Sequence, residues 1–173
     1  MMMEQKPATI TDRFVATELP YPSYVSKADK AWLNLRFEPE FIIMAAVDYG
    51  LYNLAQLQAA GYSVDTLNDA EKAKIFYLTH HLGLADAKRF IRKTITEENA
   101  HKLLVAQIGA KKAAKSAKDY GSYVEGHRVW LRKYIEDNIQ LDKFYCPKME
   151  FTEKQESENL DIVIEKIKGD AIQ

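Results

Sequence analysis

The sequence predicts an all-α protein, a single domain of about six to eight helices. Three observations carry this. Capping residues and glycine stops recur at helix-length intervals, and apolar residues between them fall three and four apart. No stretch alternates apolar and polar residues as a half-buried strand does. Size and composition agree, because 173 residues with 47% hydrophobic and 28% charged content suffice for one core and match an ordinary globular chain.

Residues 1–28, with three of the five prolines and little apolar periodicity, read as an extended arm. The helical domain is expected over 29–146. Pro39 suits the first turn of a helix through "EFIIMAAVDY", which Gly50 would close. Asn53 can cap a short second helix, "LAQLQAA", ended by Gly61. Asn68 and Glu71 have capping-box spacing and open a third, which reaches His81 before Gly83. A fourth spans roughly 84–93, and Thr96 caps a fifth that carries Leu103 and Leu104. Asp119 or Ser122 opens a longer helix through Trp130 and Ile135. Residues 147–173 form a charged tail whose Leu160, Val163, Ile164 and Ile167 fall at helical spacing and would dock on the body or on a partner. The expected core includes Leu35, Phe41, Met44, Ala45, Leu54, Leu57, Phe76, Phe90, Leu104, Trp130 and Ile135.

Several function classes drop out. A net charge of −1 supplies no field to gather nucleic acid or an anionic membrane. One cysteine, Cys146, excludes an internal disulfide framework and a cysteine-rich zinc site. The N-terminus has no apolar stretch of a Sec signal, which predicts synthesis in the cytoplasm. "FIIMAAV" is too short to span a bilayer, so no membrane insertion is expected.

The stretch "YLTHHLGLADAKRF" (77–90) poses the functional question. His80 and His81 point about 100° apart on a helix and cannot share one metal ion. His101 and His127 have no ligand partner four residues away, and no HExxH occurs. No metal or cofactor is implied. The histidine pair either lies in the last turn of a helix, where a partly protonated imidazole suits the dipole, or contributes one residue to the wall of a substrate groove. Tyr49, Tyr52, Tyr62 and Trp32 could stack on sugar faces or fill helix junctions. Lys111, Lys112, Lys115 and Lys118 resemble a basic strip for an anionic polymer, but in a chain of net charge −1 they read rather as a solvated helix face.

"YGLYNL" (49–54) and Tyr77 to Gly83 resemble, in order and rough spacing, two segments of the lysozyme-like superfamily. "FEPEFIIMAAVDYGLYNLAQLQAAGY", "LNDAEKAKIFYLTHHLG" and "HRVWLRKYIEDNI" look like muramidase-like modules of phage-tail and type VI secretion proteins. The resemblance implies a lysozyme-like helical domain that cleaves or binds peptidoglycan glycan strands. It also implies delivery by a secretion or tail apparatus, hence action in the periplasm or target cell wall. Tyr49, Gly50, Tyr52, Asn53, Tyr77, His81 and Gly83 would then line the groove. Asn53 would bond an N-acetyl group, His81 a sugar hydroxyl, and Gly83 would let the chain reverse tightly.

Cleavage needs a carboxylic acid kept protonated by an apolar wall, in this superfamily a Glu roughly 18 to 24 residues before the Gly-Leu segment. Glu38 and Glu40 lie 12 and 10 residues before Gly50, and Asp29 lies 21 before it. These three are the candidate acids, although Glu38 and Glu40 also read as helix-start charges favoured by the dipole. A degenerate relative that binds without cleaving stays open. So does a non-enzymatic helical interaction module.

Overall fold

Helices begin where the sequence supplies caps. In the computed structural model, which describes residues 26–143 and 156–168, α1 (Lys27–Asn34) opens on a reciprocal pair. The Asp29 N–H donates to Ser26 Oγ at 3.1 Å, while the Ser26 hydroxyl donates to the Asp29 carboxylate at 2.6 Å. A 3-10 turn, Leu35–Phe37, leads into α2 (Pro39–Ala59). The Asn68–Glu71 capping box forms as expected at the start of α3 (Asp69–Ile91), with bonds of 2.9 and 3.2 Å. Thr96 caps α4 (Glu97–Ile108) by accepting from the Asn99 N–H at 3.3 Å. Gly109, at φ 78°, separates α4 from α5 (Ala110–Tyr120). Ser122 rather than Asp119 caps α6 (Tyr123–Asn138), accepting from the Glu125 N–H at 3.0 Å. The last helix is α7 (Leu160–Lys168). The fold is all-α, with seven helices and no strand among the described residues.

Contacts divide the chain into two compact units, 1–49 and 50–173, with the boundary inside α2. In the first unit Phe41, Ile42, Ile43, Met44 and Val47 are all exposed, Ile43 by 64%. Leu35, Phe41, Met44 and Ala45 therefore do not join the core expected of them. This half of α2 is apolar on every side, so helical periodicity alone cannot say which side is covered.

The second unit is built around α6, which packs against α3, α4, α5 and α7. Leu54, Leu57, Ile75, Leu78, Phe90, Ile91, Leu131 and Ile135 fill its core, with Phe76 and Trp130 half-buried against it. Leu104 is also fully buried. The tail stripe is part of this core: Leu160, Val163, Ile164 and Ile167 are completely buried, each contributing roughly 2 kcal/mol of transfer free energy. Charged groups seat it. Glu136 accepts from Lys74 at 2.7 Å and from the Leu160 N–H at 2.6 Å, while Glu71 pairs with Lys166 and Asp161 with Arg132.

Gly50 corrects the expected break. α2 runs through it without interruption, because its backbone is helical and its role is close approach. A Cβ there would lie 1.8 Å from the Phe76 ring. Asn53 consequently sits inside the helix and caps nothing. The expected stop at Gly83 does occur: φ 72° and ψ 158° break the helical path inside α3.

Candidate functional site

Helical spacing on α3 and α6 assembles an aromatic quartet. Tyr77 and His81 lie four residues apart on α3, and Trp130 and Tyr134 four apart on α6. Their ring centroids close a four-membered circuit, with Tyr77–His81 at 5.6 Å, His81–Trp130 at 5.7 Å, Trp130–Tyr134 at 5.6 Å and Tyr134–Tyr77 at 5.5 Å. Two contacts on Tyr77 are stacked, with interplanar angles of 18° and 23°, as offset aromatic pairs prefer. The quartet is not sealed: Tyr134 is 37% exposed and the other three are half-buried. Behind it lies His127, 6.4 Å from Trp130 and edge-on to Phe90 at 6.1 Å.

Electrostatics keep this cluster uncharged. Burial, and then the neighbouring His80, lowers the proton affinity of His81. Burial chiefly, reinforced by His81, pushes His127 down to about 4. At neutral pH both rings are neutral imidazoles, each able to donate from one nitrogen and accept at the other. For His81, burial works against the partly protonated imidazole expected at a helix end. Burial, and then a hydrogen bond with Tyr134, raises Tyr77 to about 12. Half-exposed rings, two phenols and a neutral imidazole can stack on the apolar face of a neutral ligand and bond its hydroxyls.

The expected site residues divide. Tyr77 and His81 meet in the quartet, and Gly83 follows at the kink, where a Cβ would face open space. Gly50 abuts Phe76, the residue before Tyr77, and is the member of "YGLYN" that meets α3 most closely. Asn53 does not stand on a groove wall. It is 1% exposed on the helix face that also buries Leu54 and Leu57, and its amide nitrogen has no hydrogen-bond partner. Gly50 is buried too, whereas Tyr49 and Tyr52 are exposed.

The candidate acids lie in the first unit. Glu38 and Glu40 are exposed at the start of α2, and the Asp29 carboxylate is engaged by Ser26 at the start of α1. Cys146, Pro147 and the arm to residue 25 fall outside the described residues, as does the side chain of Trp32. Sequence reasoning placed Trp130 in the core and did not single out Tyr134. The signal was the i, i+4 pairing of aromatics on "HRVWLRKY", visible only once α6 is known to face Tyr77 and His81. Among the described residues no group of three or more His, Cys, Asp or Glu could hold a metal ion. No described helix is long and apolar enough to cross a membrane. Compared with protein-family models, curated proteins and solved structures, the chain matches none.

Proposed function

We propose that this protein binds the glycan strands of peptidoglycan through the Tyr77–His81–Trp130–Tyr134 quartet, as a lysozyme-like helical module that grips sugar without cleaving it. The observation that carries the reading is the half-exposed circuit of four rings holding a neutral imidazole. Pyranose rings present apolar C–H faces and polar rims, and such a surface answers both. Binding is favoured over hydrolysis because the general acid of a glycosidase needs an apolar wall. Glu38 and Glu40 sit in solvent, and Asp29 is part of a helix cap. Delivery to the cell wall by a secretion or tail apparatus belongs to the same proposal.

Co-sedimentation with purified sacculi tests it. The intact protein is expected to pellet with them, and Tyr134→Ala to bind about three- to tenfold more weakly, the worth of one aromatic contact. His81→Ala should weaken binding similarly while the melting temperature stays within a few degrees. Soluble muropeptides should not appear. An unmutated protein that stays in the supernatant would sink the reading.

A second reading, a non-enzymatic interaction module, has its own observation in the exposed apolar start of α2. Contiguous exposed apolar surface of this kind marks interaction sites. Replacing Ile43 and Met44 by lysine should then abolish association with a partner or second copy without affecting sacculus binding.

A further inference from the structure

Where α3 ends against the start of α6, a cleft of about 50 Å³ is lined by Arg89, Phe90, Lys93, Glu125, His127 and Arg128, among others. Three of these side chains are cationic and one is a carboxylate. Arg128 is held in place twice, donating to the Phe90 carbonyl at 2.9 Å with its guanidinium 4.5 Å from that ring's centroid. Lys93 reaches the cleft from a backbone at φ 59°, the left-handed region a non-glycine residue seldom occupies. Acids on the rim offset part of the charge: Asp86 pairs with Arg89 at 2.6 Å, Asp161 lies 3.9 Å from Arg128, and Glu165 feels both Lys93 and Arg128. On the lining itself three cations stand against one carboxylate, Glu125.

The second observation is His127. Its side chain lines this cleft and is 1% exposed, yet its Nε2 has no hydrogen-bond partner. Buried polar atoms are nearly always satisfied in folded proteins, so this orphan lacks a partner, and in the tautomer protonated at Nε2 that partner is an acceptor. The volume limits what that acceptor is. The cleft is small, with room for a few waters, and so suits a compact group better than an extended ligand. Guanidinium forks match the paired oxygens of carboxylate and phosphate.

We infer that this cleft is a binding site for a small oxyanion, a single carboxylate or phosphate group, held by Arg89, Lys93 and Arg128 with His127 Nε2 donating the remaining hydrogen bond. This goes beyond the glycan-binding reading and does not depend on it, because the ligand is charged and the quartet is not used.

The test is to titrate the full chain with acetate and with inorganic phosphate against chloride at equal ionic strength. The readouts are the imidazole resonances of His127 and the melting temperature. A saturable shift of His127 with a rise in melting temperature of about 2 °C or more is expected from at least one oxyanion and not from chloride at equal ionic strength. A response to acetate alone assigns a carboxylate, to phosphate alone a phosphate, and to both the shared chemistry. Lys93→Gly and Arg89→Gln should each weaken the response at least fivefold. Glycine suits the backbone at 93 and Arg89 is half-exposed, so both variants keep the fold. Resonances unmoved by either oxyanion, or midpoints unchanged in both variants, overturn the inference.

Discussion

His127 and Tyr77 show how far burial resets individual groups. The folded protein holds His127 near 4, against about 6.5 in the unfolded chain, so the unfolded chain binds the extra proton between those values. Stability is therefore fully present above about pH 6.5 and falls as the pH drops toward 4, by up to about 3 kcal/mol. Urea melts at pH 7.5 and 4.5 should show most of this loss, and His127→Gln should flatten the dependence. A slope unchanged by that substitution would place the sensitive group elsewhere. Tyr77 moves the other way: with its phenol raised to about 12, ultraviolet titration should find one tyrosine that resists ionisation until the fold itself gives way. Neither shift was legible in the sequence, since Tyr77 and His127 lie fifty positions apart on different helices and burial between packed helices is the chief cause of both.

Caps and glycines decide the elements. The Asn68–Glu71 box, Thr96 and Ser122 act locally, through bonds spanning three residues, and local chemistry is what a sequence displays. Gly83 was legible for the same reason, as a stop after an amphipathic run. Gly50 was not, because its purpose is the Phe76 ring, contributed by another helix. A substitution separates the two kinds of glycine. In an exposed helix Gly→Ala would stabilise by nearly 1 kcal/mol, whereas Gly50→Ala should destabilise by about 1–3 kcal/mol through overpacking. Trimming the ring with Phe76→Leu should recover part of that loss in a double-mutant cycle. If Gly50→Ala raises the melting temperature, the close approach is not what holds the glycine there. The same dependence on a neighbouring helix hid the quartet: the aromatics on α6 gain their meaning only opposite Tyr77 and His81.

For the whole molecule, all-α character and the apolar stripe of the tail were readable from periodicity. The stripe's docking place was not, because the groups that seat it are remote: Glu71 meets Lys166 across 95 positions, and Lys74 meets the Glu158 carbonyl across 84. Glu136 is the hinge of this arrangement, serving both Lys74 and the first turn of α7. Glu136→Ala should cost about 2–3 kcal/mol by leaving a nearly buried ammonium without its carboxylate. Chain ending before residue 156 should retain helical circular dichroism yet bind a hydrophobic dye, as packing is lost before secondary structure. Cooperative melting of such a chain with no dye binding would show that α7 is dispensable.

The position of α7 also sets a timetable. Translation delivers α3 and α6 well before Leu160 to Ile167, so the surface those side chains fill is wet and apolar while synthesis continues. Native closure must wait for residue 167, and until then the nascent chain offers a sticky face to whatever escorts it. Ribosome stalling or premature termination in the stretch just before α7 would release a helical intermediate lacking its final wedge. Such a product is the form chaperones and proteases should recognise first.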